Sequence, residues 1–256
     1  PAVQADLRWP SGLDVDDTGE VYFADAGNHQ IRKIDVAGNI YPVAGTGVEG
    51  VGADEGLALA EPLTWPANVL VDPTGRVFFT EHHRIRMVDV NGGLHTVAGS
   101  GAEGFAGDGQ LATSAQMSYP VGLRFDRDGN LLFADSGNNR IRKIDDNGII
   151  TTVVGTGELG TTGDGGDASL ATLNNPGGIC VGDFDGFVVL DSGSHRVRYV
   201  DETGQISAFA GTGGRGFRGD GGPAVDAEFS WPWACVEDGQ GNVLIADWDN
   251  GRIRQV

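Results

Sequence analysis

Asp25, Glu81, Asp135, Asp191 and Asp247 each stand fifteen residues after a proline (Pro10, Pro66, Pro120, Pro176, Pro232), and His29, His82, His83 and His195 follow three of them closely. Carboxylates and imidazoles are the donors of calcium and zinc, so the first chemistry to weigh is a metal centre. Asp54, Asp108, Asp164 and Asp220 offer a second set of oxygens, inside glycine-rich segments such as GTGGRGFRGDGG (211–222). Those glycines raise a third chemistry, a loop whose N–H groups cradle phosphate. Trp9, Trp65, Tyr119, Trp231, Trp233 and Trp248 raise a fourth: stacking on a sugar or anchoring a partner chain.

Multiplicity separates these. The glycine-rich segment occurs four times, at 45–66, 99–120, 155–176 and 211–232, always as G-[ST]-G-x-x-G followed by Asp, an Ala-containing turn and Pro. A phosphate loop occurs once and ends in a Lys and a Ser/Thr, neither of which follows here. The carboxylates and the arginines Arg32, Arg86, Arg142, Arg198 and Arg254 recur once per repeat as well. Repeated residues are expected to hold the architecture, the carboxylates by bonding their own turns and the arginines by bridging to acids or carbonyls. The linker aspartates are likewise expected to serve their own Asp-Gly turns. Asp126-x-Asp128-Gly129 and Asp183-x-Asp185-Gly186 look like the start of a calcium loop but lack its terminal Glu. The turn histidines belong to different repeats, and His95 stands alone in an outer strand, where it is expected to be exposed. No HExxH, GxSxG or Cys/His pair supplies a nucleophile, so no catalytic residue and no metal ligand is assigned.

The elements follow from the spacing. Intervals between the aligned prolines are 56, 54, 56 and 56 residues, a period that belongs to propellers or solenoids. Each repeat holds four short apolar runs; in the third they are VGLRFD (121–126), NLLFAD (130–135), RIRKID (140–145) and IITTVVG (149–155), joined by Asp/Asn-Gly turns. Such turns make antiparallel hairpins, so the expected fold is all-β: a β-propeller of tandem four-stranded antiparallel blades. Pro42 lies in a fourth run and places that run at the sheet edge. The repeats cover about 1–45, 46–99, 100–155, 156–211 and 212–256 of a single domain, and the fifth blade lacks its outer strand. Five blades closing with one short blade, or a segment of a longer chain with further blades, are both open at this point.

ADAGNHQIRKID (24–35), ADSGNNRIRKID (134–145), LDSGSHRVRYVD (190–201) and ADWDNGRIRQV (246–256), each after a strand and an x-D-G-N-like turn, resemble the NHL repeat. The resemblance implies a β-propeller, most often six-bladed, used chiefly as an interaction platform; some relatives carry metal-dependent lyase or hydrolase chemistry. The GTGxxGxxGDGG linkers resemble those of bacterial and cell-surface members, implying a secreted, periplasmic or cell-surface location.

Composition narrows the partners. The formal net charge of -19, from 36 acidic and 17 basic residues, repels nucleic-acid phosphates and anionic lipid. No apolar run is long enough for membrane insertion. Cys180 and Cys235 lie in apolar stretches without metal spacing and are expected to be buried free thiols. The leading expectation is therefore a non-enzymatic scaffold without a cofactor, presenting loops to a protein or carbohydrate ligand. Its candidate ligand-binding residues are the six aromatics above with His82 and His83; the competing expectation, favoured because large aromatics are mostly buried, is that each ring packs beneath its own glycine-rich linker as a satellite core. The alternative is a metal-dependent hydrolase or lyase with a cation, such as calcium, in a central channel.

Overall fold

The computed structural model describes residues 1–256. Its strands form five antiparallel blades of the β-propeller class, and its only helical pieces are three-residue 3-10 turns. The chain gathers into two compact units, Pro1–Ala106 with Leu111–Pro120 and Gly107–Gln110 with Val121–Val256.

The first unit holds two blades. Blade one runs Pro10–Val15, Val21–Asp25, Gln30–Ile34, Ile40–Ala44; blade two runs Pro66–Val71, Val77–Glu81, Arg84–Val88, Leu94–Ala98. Neighbours in sequence are neighbours in the sheet. Pro42 sits opposite Arg32 in the edge strand of its sheet, where its missing N–H breaks no ladder. Alternate residues such as Ala24, Ile31, Val69 and Phe79 point into a core capped by Leu63 and Leu94.

The second unit carries blade three (strands ending at Phe125, Asp135, Ile144 and Val154), blade four (Ile179–Cys180, Gly186–Asp191, Arg196–Asp201, Gln205–Ala210) and blade five (Pro232–Glu237, Val243–Asp247, Arg252–Gln255). Blade five has three strands. Two linkers do more than cross the surface: Gln110–Leu111 and Gly166–Asp167 each add a two-residue fifth strand beside the fourth, so in these sheets the fourth strand is not the bare edge that sequence suggested. The inner strand of blade four is cut to two residues, because Gly177 and Gly178 offer no side chain to a sheet face.

Asp-x-x-Gly turns set the hairpins. Asp126 Oδ1 accepts the N–H groups of Asp128 and Asn130 (3.0 and 2.8 Å), and Gly129 takes the left-handed backbone (φ 83°) that the turn requires. The carboxyls of Asp35 and Asp89 do the same work in the third-to-fourth strand turns. They lie below the usual carboxylate range, chiefly because the Asn39 and Gly93 N–H groups stabilise the anion.

Cys180 and Cys235 are buried but not free: a disulfide joins them, with Cα atoms 5.8 Å apart. Their separation of 55 residues is close to one repeat, which puts them on the inner strands of adjacent blades.

Candidate functional site

The recurring charges are largely buried and engage one another, with the Asp191 Oδ2 of blade four left without a hydrogen-bond partner. Asp25, Glu81, Asp135, Asp191 and Asp247 end the second strands, yet they do not cap the turns that follow. The 3-10 turns after the four aspartates take no side-chain cap. One carboxylate oxygen instead reaches seventeen residues back along the chain. Asp25 accepts from the Arg8 N–H (2.8 Å), Glu81 from Thr64 (3.1 Å), Asp191 from Asn174 (2.7 Å) and Asp247 from Ser230 (2.7 Å). The other oxygen faces the repeat arginine, at 2.9 Å for Arg32–Asp25, 2.8 Å for Arg86–Glu81, 3.3 Å for Arg142–Asp135, 3.4 Å for Arg254–Asp247 and 3.8 Å for Arg198–Asp191.

The linker aspartates complete these pairs. Asp54, Asp108, Asp164 and Asp220 bind Arg86, Arg142, Arg198 and Arg254 at 3.1, 2.8, 2.7 and 2.6 Å, so each is the counter-ion of the arginine in the blade that its linker leads into and does not chiefly serve its own turn. The reason is the arginine: a buried guanidinium must find acceptors for its five N–H groups. Carboxylate oxygens engaged in this way are not presented to a cation, and within neither unit do three His, Cys, Asp or Glu side chains converge as metal ligands.

The carboxylates hold something unexpected in place. The residue just before each inner-strand proline has a left-handed backbone: Trp9 (φ 52°), Trp65 (φ 45°), Tyr119 (φ 49°), Asn175 (φ 45°) and Trp231 (φ 56°). Asn tolerates this region, whereas a bulky residue is strained there by ~1–2 kcal/mol. The strain persists because both flanks are tied. The buried carboxylate takes the preceding N–H, and a residue thirty-six positions earlier takes the N–H of the strained residue itself. His29 Nδ1 accepts from Trp65 (3.4 Å), Asn139 Oδ1 from Asn175 (2.9 Å) and His195 Nδ1 from Trp231 (3.1 Å). His83 occupies the matching place in blade two, its ring edge-on to Tyr119 at 5.1 Å, while His82 takes the left-handed turn position (φ 45°) beside it.

The turn histidines therefore position aromatic residues. An Nδ1 that accepts carries no proton, which places the hydrogen of the neutral ring on Nε2. Burial, with Arg215 nearby, lowers the His195 pKa, and burial lowers that of His83. His95 is not the isolated, exposed residue that sequence suggested: it is half-buried, with Nε2 3.0 Å from Asp89 Oδ2.

The left-handed residue also decides which side chain goes inward. Three positions before the proline, Leu63, Met117, Leu173 and Phe229 are buried. The reversal at the next-to-proline position turns the aromatic out. In the first unit Trp9, Trp65 and Tyr119 are 72%, 46% and 57% exposed, so they do not lie beneath their linkers. In the second unit Trp231 and Trp233 are half-buried, Trp248 is 65% exposed, and these three rings line a pocket of about 330 Å³.

Three local features build that pocket. The Trp248 N–H donates to the Trp231 carbonyl (3.3 Å), tying two walls together. Trp233 is the extra residue of a β-bulge, between the Pro232–Asp247 and Ala234–Ala246 pairs, a device that re-aims a side chain. Trp233 fits because Gly177 lies against it; a Cβ at Gly177 would stand 2.9 Å from Trp233 Cε3. The sequence signal was present as PGG (176–178) one repeat before WPW (231–233).

The family descriptions that match are "NHL repeat", over residues 7–34, and "Teneurin NHL domain", over residues 100–162. NHL repeat-containing protein 2 of Bos taurus is 29% identical over 197 residues, covering 73% of this chain and 25% of its own length. Teneurin-4 of Mus musculus is 26% identical over 275 residues, covering 93% of this chain and 10% of its own. The chain thus spans about a quarter or less of these relatives. Among solved structures, an auxiliary nutrient binding protein of Bacteroides ovatus aligns with a TM-score of 0.70 at 16% identity, over 98% of this chain and 60% of its own. Virginiamycin B lyase of Staphylococcus aureus aligns at 0.57 and 17%, over 96% of this chain and 69% of its own. At these identities the likeness is one of fold.

Proposed function

Because the chain belongs to the NHL-repeat family of β-propellers, we propose that it is a non-enzymatic binding scaffold whose outward aromatic residues contact a protein or carbohydrate ligand. One observation carries this reading: Trp9, Trp65, Tyr119 and Trp231 occupy left-handed positions where a bulky side chain costs stability, and the first three are largely exposed. Their packing is limited to edge-on contacts with turn histidines, and Asn175 shows that a small polar residue fills the same place. Large aromatic faces held rigidly at loop ends are what recognition uses. The recurring carboxylates and arginines are scaffold in this reading, since their charges neutralise one another.

The match of the lyase is a match of fold and brings no catalytic residue to this chain. An exported location, whether secreted, periplasmic or cell-surface, is supported by the Cys180–Cys235 disulfide, because such bonds persist in oxidising compartments. No helix is long and apolar enough to cross a membrane.

The test replaces function without harming fold. Trp65→Asn, Tyr119→Asn and Trp231→Asn, together, put the residue of blade four in its neighbours. The expected result is an unchanged or raised melting temperature and loss of binding on glycan and peptide arrays. Arrays read equally by the parent and the triple variant would remove the aromatic residues from the function.

A further inference from the structure

The tryptophan pocket of the second unit differs from an ordinary sugar platform in what it lacks. Trp231, Trp233 and Trp248 are its whole lining, and no carboxamide, carboxylate or guanidinium faces into it. A pyranose stacked there would leave its hydroxyls without directed partners, which disfavours it. A quaternary ammonium group has no N–H and asks for no hydrogen bond at all: its charge is spread over methyl surfaces and is attracted to the faces of indole rings.

Three further observations agree. The hairpin that bears the pocket, residues 231–251, carries no Lys or Arg; Asp247 and Asp249 are paired with Arg254 and Arg215, which leaves Glu237 and Asp238 as its carboxylates outside ion pairs, within a chain of net charge -19. A cation is thus drawn toward it. Arg215, whose Nη2 is 3.0 Å from Asp249 Oδ2, is already paired, and Arg124 is engaged with the Cys235 carbonyl at 3.4 Å. The walls are also preorganised, by the Trp231–Trp248 backbone bond, the His195 acceptor and the Trp233 bulge over Gly177. A volume of about 330 Å³ is at the small end for ligand pockets and suits a head group better than an extended chain.

We propose that Trp231, Trp233 and Trp248 form an aromatic cage for a quaternary ammonium head group of the choline type. This inference rests on the scaffold reading above and names the ligand chemistry of one of its aromatic sites.

The probe is choline, titrated into the full chain by calorimetry with tryptophan fluorescence in parallel. Its uncharged carbon isostere 3,3-dimethylbutan-1-ol, N-acetylglucosamine and a trimethyllysine peptide form the other arms. Choline is expected to bind saturably, about tenfold or more tighter than the isostere, and to lose about tenfold in Trp248→Leu, a change at an exposed position. A trimethyllysine peptide that binds well while choline does not would overturn the choline-type assignment. Equal binding of choline and its isostere would overturn the cage, as would an unchanged choline affinity in Trp248→Leu. Binding of N-acetylglucosamine alone, lost in Trp248→Leu, would overturn the cage while leaving the scaffold reading intact. Array binding by the parent that survives the Asn triple variant, with no response to any probe, would sink both.

Discussion

Blade four is missing one hydrogen bond that blades one, three and five possess, and restoring it should stabilise the protein. Asn28, Asn138 and Asn250 donate their side-chain amides to Asp25, Asp135 and Asp247 at 2.9, 2.9 and 2.8 Å. The equivalent residue in blade four is Ser194, whose shorter side chain turns to the Gly160 carbonyl (3.4 Å). Asp191 Oδ2 is then buried without a hydrogen-bond partner, and Arg198 stands 3.8 Å away. Burial consequently pushes the Asp191 carboxyl up to about 6, against the partial compensation of the Asn174 N–H, Arg198 and a weak approach of the Ser194 hydroxyl that falls short of a full hydrogen bond. With an ordinary value of 3.8 the shift corresponds to roughly 3 kcal/mol at 1.36 kcal/mol per unit. The sign is the reverse of a normal salt-bridged aspartate: the fold holds the proton more tightly than the unfolded chain. This contribution to stability is therefore full below pH 3.8 and is lost as the pH rises through about 6. Ser194→Asn supplies a donor to the anion and, by analogy with Asn250, a bond to the Gly160 carbonyl. A charge-assisted bond of this kind is worth ~1.5–3 kcal/mol. Urea unfolding should show Ser194→Asn more stable by ~1–2 kcal/mol at pH 7, with the gain shrinking toward pH 4. A gain that is the same at both pH values, or a loss at pH 7, would refute the assignment of the unmet acceptor.

Removing a buried arginine should be strongly destabilising, because Arg142→Ala strands Asp135 and Asp108, at a cost of ~3–5 kcal/mol in denaturant unfolding. Reducing the Cys180–Cys235 bond releases a loop of 55 residues and should lower stability by up to ~4 kcal/mol, read as a fall in melting temperature with dithiothreitol that Cys180→Ala with Cys235→Ala reproduces. Gly177→Val should push Trp233 from its bulge, seen as a changed tryptophan emission with the blade strands retained by circular dichroism. Because the His195 pKa is lowered by burial and by Arg215, the neutral ring favours folding above pH 6.5, and this support fades as the pH falls below that value. Tryptophan emission of the parent should therefore shift on acidification, and His195→Asn, which keeps an acceptor as Asn139 does, should remove the part of the shift that comes from Trp231.

The sequence made the blades readable because each level of signal repeats: proline phase, apolar alternation and Asp-x-x-Gly turns all return about every 56 residues. It also marked the aromatic positions, by their breaking of that repeat. What it hid was the backbone between them. A Trp before Pro reads as extended chain, and only the fold, by taking the N–H groups on either side, makes the left-handed conformation affordable. The carboxylates were misread for a related reason. Asp25 does take the Asn28 side-chain amide of the turn that follows, but its backbone donor, Arg8, is seventeen residues upstream and comes near only once the linker has folded back. The two cysteines were legible in hindsight from their separation of about one repeat, had the phase of the inner strand been applied to them.

The division of labour between the two kinds of residue explains how such a chain can carry a site without a catalytic signature. Buried carboxylate and arginine pairs, the same in every blade, spend their charge on each other and on backbone N–H groups. The backbone they fix then points one side chain per linker away from the core, where its packing is confined to local contacts such as His29–Trp65 and His83–Tyr119. Its identity is free to differ between blades, as Trp65, Tyr119, Asn175 and Trp231 do, while Leu63, Met117, Leu173 and Phe229 beneath stay apolar and buried. Blade five goes furthest from the pattern in its side chains, filling with Trp233 the inner-strand bulge that blades one and two also have and adding Trp248 in the following turn, and blade four yields the space with two glycines. Coordinated departures in adjacent blades, each costing local regularity, mark the three-tryptophan pocket of the second unit as the place where this scaffold has been specialised.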